Sequence, residues 1–269
     1  GTLLLTCALY GVVASIVLRI VGKDEYAQYT VARCFHFLMS KVLGVKVTIK
    51  NEELLRTKPS VVISNHQSAL DILILGRLFQ PGYTVTAKKA LKYVPFLGWF
   101  MLASKTFFLD RSKGEKARRV LENALTGLKK QKRSIFMFPE GTRSATKKLE
   151  LLPFKKGAFH LAKQARIPVI PVAVSNYSTI FHAGDKVFNQ GEIVIEVLEP
   201  MSTNDLETNE DVTKFASEVS EKMLKTVESL GYASTKSRNK LAKEIDATDM
   251  QSEGSVEIVE ESTPLIATD

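Results

Sequence analysis

Cysteine, histidine and tryptophan are scarce in this 269-residue sequence, which contains two, four and one of them. Cys7 and Cys34 form no CxxC pair, so no disulfide framework is predicted, and a reducing compartment is the default. The histidines are scattered without the spacing of metal ligands, and therefore no metal site is expected. They are His36, His66, His160 and His182.

An excess of basic residues gives the chain a formal net charge of +8, which favours anionic partners such as phosphorylated metabolites, anionic lipid or nucleic acid. Residues 234–269 hold four basic and eight acidic side chains and carry −4, which leaves +12 on the rest. Residues 232–269 lack apolar periodicity and are predicted to form an acidic disordered tail. Nucleic acid is disfavoured because the basic residues lie beside loop motifs rather than between aromatic residues.

The longest apolar run lies at the start of the chain. Residues Thr2 to Val21 contain one charge, Arg19, and about 20 apolar residues are enough to cross a bilayer. The following stretch, 27–42, places apolar residues at helical spacing on one face. We predict a transmembrane helix and a membrane-interface helix within residues 1–44. The alternatives are a buried core helix and a helix packed on the domain.

Short apolar strands alternate with helices over residues 45–231. This alternation predicts an α/β domain with a mostly parallel central sheet flanked by helices. The predicted strands are 45–49, 61–64, 84–87, 107–109, 135–138, 169–174 and 193–198, and the predicted helices are 70–78, 113–131, 156–164 and 211–230.

The segment VVISNHQSALD ends a predicted strand and opens a helix. His66 and Asp71 are five residues apart, close enough for a turn to bring them together. A carboxylate beside an imidazole fixes its tautomer and stabilises the imidazolium, as a general base requires. Alone, such a pair is a weak signal and favours a capping histidine with a surface aspartate. Its place after a strand favours a site, because open α/β sheets bind ligands there.

A second motif, FPEGTR, also follows a strand. Gly141 and Thr142 lie in its turn, Arg143 offers a planar fork for phosphate oxygens, and Glu140 is expected to orient Arg143, a backbone donor or a substrate hydroxyl. Arg111 follows another strand. Lys156, next to Lys155, begins a helix, where a cation is unfavourable unless an anion offsets it. These charges predict a phosphate site if they converge; the alternative is a set of solvated surface charges.

Four segments in this order, NHQSALD (65–71), FFLDR (107–111), FPEGTR (138–143) and VIPV (169–172), resemble the four blocks of the glycerolipid acyltransferase superfamily. The surrounding TVTAKKALKYVPFLGWF and LPFKKGAFHLA resemble the 1-acylglycerol-3-phosphate acyltransferases of yeasts. The resemblance covers roughly residues 10–230 and leaves out the acidic tail. All block positions of His, Asp, Glu, Gly and Arg match.

The resemblance implies transfer of an acyl group from acyl-CoA, a co-substrate, to the 2-hydroxyl of lysophosphatidic acid, without a cofactor. His66 and Asp71 would be catalytic, and the remaining motif residues would bind substrate. Arg111, Glu140, Gly141, Thr142, Arg143 and Lys156 would hold the glycerol phosphate, and Val169, Ile170, Pro171 and Val172 would form the acyl site. The bilayer is the expected partner. The expected location is the endoplasmic reticulum membrane or a lipid droplet, with the site facing the cytosol.

Other functions stay open at the level of sequence. The acceptor is alternatively another lysophospholipid or glycerol-3-phosphate, because the blocks do not discriminate among them. A different class is a non-catalytic membrane protein that binds anionic lipid through its basic body. A hydrolase is disfavoured because the sequence has no GxSxG nucleophile elbow.

Overall fold

The computed structural model describes residues 2–109 and 129–236. Arg111, most of the predicted helix 113–131 and the sequence from 237 onwards lie outside these ranges. The helices are α1 (Thr2–Ile20), α2 (Ala27–Leu43), α3 (Asp71–Leu78), α4 (Leu97–Ala103), α5 (Gly157–Ala165) and α6 (Asn209–Leu230), with short 3-10 helices at Asp24–Tyr26, Glu52–Arg56 and Lys89–Tyr93. The strands are β1 (Val45–Lys50), β2 (Val61–Ser64), β3 (Tyr83–Lys88), β4 (Phe107–Leu109), β5 (Ser134–Met137), β6 (Val169–Val174), β7 (Phe181–His182), β8 (Val187–Phe188), β9 (Gly191–Val197) and β10 (Ser234–Thr235).

The strands form a central sheet in the order β1-β9-β6-β2-β5-β3-β4, with β10 beside β9. β6, β2, β5, β3 and β4 run parallel to one another. β9 is antiparallel to β6, and β1 runs parallel to β9. The predicted α/β fold with a mostly parallel sheet flanked by helices is therefore confirmed. Because β2 and β5 are parallel neighbours, the loops that follow them meet at one edge of the sheet.

The two faces of the sheet are covered by different helices. Val62 packs in an apolar cluster with Leu73 of α3. Its neighbours Val61 and Ile63 point to the other face and pack with residues of α5 and α6. This alternation follows from the two-residue period of a strand. Burial on both faces fixes the register of β2 and hence the position of the loop that follows it.

The predicted first helix is present as α1, which packs against α2 and α4. Cys7, Ala8, Gly11 and Ser15 are buried at helical spacing, and the side chain of Phe100 from α4 lies against Gly11. The predicted membrane span is not confirmed. In the ranges 2–109 and 129–236, no helix has both the length and the apolar character needed to cross a membrane.

The second predicted helix, α2, packs on the domain. Val31 and Phe35 are buried, and α2 contacts α3 and β1. Other apolar residues of α2 point outward, so that Phe37 is 61% exposed and Val42 is 70% exposed. The helix thus has one face on the core and a second apolar face on the surface.

Regular structure continues past residue 231, where the tail was predicted to begin. Ala233 is 2% exposed, and its N–H donates to the carbonyl of Asn176 at 2.8 Å. β10 then pairs with the start of β9 so closely that a Cβ on Gly191 would lie 2.0 Å from the carbonyl oxygen of Ser234. Tyr232 donates through its hydroxyl to the carbonyl of Lys147 at 2.9 Å. Residues 232–236 are therefore packed on the domain.

Candidate active site

The loop after β2 is fastened to the end of β6 by two buried amide side chains. Asn65 donates to the carbonyl of Val174 at 3.0 Å and accepts from the N–H of the same residue at 2.9 Å. Gln67 donates to the carbonyl of Ser175 at 3.0 Å and accepts from the N–H of Tyr177 at 3.2 Å. Because buried polar groups with their partners in place hold one conformation, the residue between the two amides has a fixed backbone.

That residue is His66, which forms a hydrogen-bonded pair with Asp71. Asp71 Oδ2 lies 2.7 Å from His66 Nδ1 and also accepts the backbone N–H groups of Gln67 and Ser68 at 2.8 and 2.9 Å. Because the carboxylate only accepts hydrogen bonds, Nδ1 carries the proton and Nε2 keeps its lone pair. The pair therefore has the arrangement of a general base and its orienting carboxylate.

The loop after β5 packs directly on this histidine. The ring of Phe138 stacks on the His66 imidazole, with centroids 4.0 Å apart and planes at 15°. The N–H of Ser144 donates to the carbonyl of His66 at 2.8 Å, and the N–H of Ala145 donates to the carbonyl of Gln67 at 3.1 Å. The two motif loops therefore form one connected unit.

Glu140 is a buried carboxylate behind the histidine, only 3% exposed. Its Oε1 accepts the N–H of His66 at 2.8 Å, and its Oε2 accepts the N–H of Leu152 at 3.3 Å. Burial raises the pKa of the Glu140 carboxyl, while these two N–H groups act in the opposite direction. The sequence left Arg143, a backbone donor and a substrate hydroxyl as partners of Glu140. The structure shows backbone donors: both carboxylate oxygens accept backbone N–H groups, one of them from His66.

Gly141, Thr142, Arg143 and Lys155, here called the cationic rim, border the same cavity as His66. Gly141 has a φ of +71°, which glycine adopts without strain. A Cβ at this position would lie 2.8 Å from Nζ of Lys155, because the lysine side chain crosses over the glycine. Thr142, Arg143 and Lys155 are exposed. The rim thus presents two cations beside the histidine.

The cavity in front of His66 has a volume of about 1550 Å³. A pocket for one small ligand measures about 300–1000 Å³, so this cavity has room for two substrates. Asp71 is the sole carboxylate among the lining residues in the described ranges, which favours an anionic ligand beside the rim. Another part of the lining is apolar and comes from α3, β3, α4 and the 3-10 helix before α4: Ile72, Leu75, Val85, Leu91 and Met101.

The structure does not bring every predicted site residue to this cavity. Lys156 Nζ donates to the hydroxyl of Thr213 in α6 at 2.7 Å, and Lys155 borders the cavity instead. Lys156 is the residue just before α5 and Lys155 precedes it, and their side chains face different surroundings. Arg111 lies outside the described residues.

The predicted acyl-site residues lie away from the described cavity lining. Val169, Ile170, Pro171 and Val172 are all buried in β6. This strand has β9 on one side and β2 on the other, and its side chains pack into the core on both faces. In the described part of the chain, these four residues therefore belong to an enclosed core strand and not to the cavity wall.

Sequence reasoning missed Tyr177, whose hydroxyl donates to Asp71 Oδ1 at 2.6 Å. It also missed the roles of Phe138 and Gln67 beside the histidine. Tyr177 lies just after the carboxyl end of β6, at the same sheet edge as the two motif loops. A search for polar residues after each predicted strand would have found it.

The chain is similar to known acyltransferases in sequence. The family profile described as Acyltransferase matches residues 46–175. A 1-acyl-sn-glycerol-3-phosphate acyltransferase of Saccharomyces cerevisiae is 52% identical over 227 residues, which cover 84% of this chain and 75% of that protein. An uncharacterized acyltransferase of Schizosaccharomyces pombe is 48% identical and covers 78% of this chain and 76% of that protein.

The fold is also similar to a solved structure. The crystal structure of the 1-acyl-sn-glycerophosphate acyltransferase PlsC from Thermotoga maritima matches with a TM-score of 0.64 and 25% sequence identity, over 84% of this chain and 95% of that one. The resemblance carried by the four motifs is therefore confirmed over most of both chains. By sequence and by fold, the chain is an enzyme and belongs to the family of the 1-acyl-sn-glycerol-3-phosphate acyltransferases.

Proposed function

We propose that the protein transfers a fatty acyl group from acyl-CoA to the 2-hydroxyl of lysophosphatidic acid and so forms phosphatidic acid for phospholipid synthesis. The observation that carries this proposal is that the His66–Asp71 pair and the cationic rim share one cavity. A base beside an anion-binding surface suits an acceptor whose hydroxyl lies close to a phosphate. The Saccharomyces cerevisiae and Thermotoga maritima relatives are named for this acceptor.

His66 Nε2 is the base in the proposed reaction. It takes the proton of the acceptor hydroxyl while the oxygen bonds to the thioester carbonyl carbon; the carbon–sulfur bond then breaks, and the CoA thiolate takes the proton from the imidazolium. Asp71 holds the tautomer and stabilises the imidazolium. The transfer is direct, with acyl-CoA as co-substrate and no cofactor. Holding both reactants in one cavity can supply about 7–11 kcal/mol of the barrier.

The phosphate of the acceptor binds at the cationic rim. The guanidinium of Arg143 offers paired donors to phosphate oxygens, and Lys155 adds a second positive charge. Thr142 contributes a hydroxyl donor next to Arg143. Lys155 takes the place that the sequence assigned to Lys156, because the latter is directed to α6. The phosphate role of Arg111 rests on the sequence resemblance.

The acyl chains occupy the apolar part of the cavity and the adjoining membrane surface. The apolar wall of α3, β3 and α4 is the proposed acyl site, in place of the enclosed strand at 169–172. Each buried CH₂ group contributes about 0.8 kcal/mol, which is enough to hold a long chain on such a wall. The apolar wall therefore binds the acyl chains, which the cationic rim cannot bind.

The bilayer is the proposed partner of the N-terminal helices. α1 exposes Val13, Ile16, Val17 and Ile20, which are 51–80% exposed, on the side away from the domain. Such a surface favours binding to a lipid interface. We place the protein on the endoplasmic reticulum or lipid droplet surface with its cavity facing the cytosol, where acyl-CoA is supplied. Imaging of the tagged full chain in a eukaryotic cell tests this location.

The test of the function uses the purified full chain, labelled oleoyl-CoA and four acceptors: lysophosphatidic acid, lysophosphatidylcholine, glycerol-3-phosphate and monoacylglycerol. We expect labelled phosphatidic acid from the first acceptor, slower products from the others, and at least a 10³-fold loss in His66→Ala, about the contribution of a general base. A preference for another acceptor would replace lysophosphatidic acid. An unaffected His66→Ala variant would remove the proposed chemistry, and binding of anionic vesicles without any product would favour the non-catalytic function.

A further inference from the structure

We propose that Tyr177 is a positioning residue of the catalytic pair, holding Asp71 so that its second oxygen stays aligned with His66. Its hydroxyl lies 2.6 Å from Asp71 Oδ1, and its ring is 1% exposed. It lies outside the four sequence motifs, five residues after the last of them. The proposal rests on the proposed function, since it assigns Tyr177 to the same reaction.

The direction of the hydrogen bonds follows from the groups present. The Asp71 carboxylate only accepts hydrogen bonds, so Tyr177 uses its one phenol proton to donate to Oδ1. The Ser68 hydroxyl, 3.0 Å from the Tyr177 oxygen, must then donate to it, and Ser68 Oγ in turn accepts the N–H of Leu70. Ser68, Tyr177 and Asp71 thus form a directed chain that ends at the carboxylate facing the histidine.

The phenol keeps its proton in this chain. Burial raises the pKa of Tyr177 well above its ordinary value, and the neighbouring Asp71 carboxylate acts in the same direction. The hydroxyl is therefore a permanent donor over the pH range in which an acyltransferase works, and it cannot exchange roles with the carboxylate.

The two oxygens of Asp71 have unequal support. Oδ2 accepts from His66 Nδ1 and two backbone N–H groups, whereas the Tyr177 hydroxyl is the partner found for Oδ1 within the described residues. Asp71 is 4% exposed, so water cannot readily replace that hydroxyl. Without it, one buried carboxylate oxygen loses its donor, and the carboxylate gains an alternative orientation.

The alignment of Asp71 also determines how strongly it stabilises the protonated imidazole. Loss of the Tyr177 hydroxyl lets the carboxylate turn away from His66 and weakens this interaction. The acidic limb of the kcat–pH profile should then move to lower pH. A residue that only fills the core would change stability without moving this limb.

The test compares Tyr177→Phe with Tyr83→Phe. Tyr83 is also a buried tyrosine, 3% exposed, but its hydroxyl donates to the backbone carbonyl of Leu55 away from the cavity. Both variants remove one buried hydroxyl and keep the ring, so both lose similar stability. With lysophosphatidic acid and oleoyl-CoA, we expect only Tyr177→Phe to lower kcat, by about 10-fold, with KM within about twofold and the acidic limb at lower pH.

A double-mutant cycle separates positioning from packing. In the Asp71→Asn background, Tyr177→Phe should lower kcat no further, because the group on which it acts is already changed. Equal fold-losses in both backgrounds, an acidic limb that stays in place or moves to higher pH, or the same kcat loss in Tyr83→Phe would each overturn the proposal. An active His66→Ala variant would overturn the proposed function, whereas an inactive His66→Ala beside a normal Tyr177→Phe would overturn this inference alone.

Discussion

The loop at 65–71 and the cationic rim face the same cavity but are built in opposite ways. Asn65, Gln67 and Asp71 are 2–7% exposed, and all of them bond to protein groups. Arg143 and Lys155 are exposed to solvent. A base must be held in one orientation before the substrate binds, whereas a phosphate-binding cation can remain hydrated and mobile until its ligand binds. Changes in the loop should therefore affect kcat, and changes in the rim should affect KM.

After the loss of His66 itself, the largest expected effect comes from Asp71→Asn. The N–H₂ of the asparagine amide would face donors that now bond to a carboxylate oxygen. His66 would then lose both its fixed tautomer and its alignment. We expect kcat to fall about 10²- to 10³-fold with a circular dichroism spectrum like that of the wild type. A kcat near the wild-type value would remove Asp71 from the mechanism.

Truncation of the chain before residue 232 tests whether the segment 232–236 stabilises the domain that carries the loop. A chain ending after Gly231 loses β10 and the contacts of Tyr232 and Ala233 with Lys147 and Asn176, the neighbour of Tyr177. We expect its free energy of unfolding to fall by about 2–4 kcal/mol, because several hydrogen bonds and the burial of Ala233 are lost. A chain ending after Lys236 serves as the control and should keep wild-type stability and kcat. Equal urea midpoints for the two would show that residues 232–236 contribute nothing.

Lys155 of the rim and its neighbour Lys156, which lies outside the rim, form a matched pair for mutation. Arg143→Ala should raise KM for lysophosphatidic acid about 10-fold and Lys155→Met about threefold, because each removes a charge-assisted contact to phosphate. Lys156→Met should leave KM unchanged, since this lysine is directed to Thr213. Steady-state kinetics at a saturating oleoyl-CoA concentration measure all three. A KM raised by Lys156→Met and unaffected by Lys155→Met would return the phosphate role to the residue predicted from the sequence.

The smallest effect concerns the pH dependence of stability. Because burial raises the pKa of Glu140, the folded protein holds this proton more tightly than the unfolded chain. The resulting stabilisation is complete below the unfolded pKa of about 4.3 and is lost as pH rises through the raised pKa. Between the unfolded pKa and the raised folded pKa, the free energy of unfolding should therefore decline with pH more steeply in the wild type than in Glu140→Gln. Urea unfolding at a series of pH values measures both. Equal slopes of unfolding free energy against pH in the two proteins would contradict a raised pKa of Glu140.

The local parts of the site could be predicted from the sequence, and the distant ones could not. His66 and Asp71 are five residues apart, so one turn joins them and their pairing is legible in the sequence. The partner on the other oxygen, Tyr177, is 106 residues from Asp71. No periodicity links them; only the order of strands in the sheet brings them together.

The other differences have equally specific causes. The choice between Lys155 and Lys156 depends on where the first turn of α5 begins, and sequence signals place such boundaries only to within a few residues. β10 has two residues, too few for any alternating pattern, so the sequence does not distinguish its segment from the tail. For α1, hydropathy measures apolar content but not which surface covers it, whereas the structure packs one face on α2 and α4.

The fastening of the loop to β6 has a consequence for how the enzyme matures. Asn65 and Val174 are 109 residues apart, and contacts of such separation close a long loop at an entropic cost that makes them late events in folding. A chain emerging from the ribosome therefore contains His66 and Asp71 long before it can align them. Acyl transfer therefore requires that the chain through residue 177 has joined the sheet, and a molecule in which β6 is not yet paired cannot align His66 with Asp71.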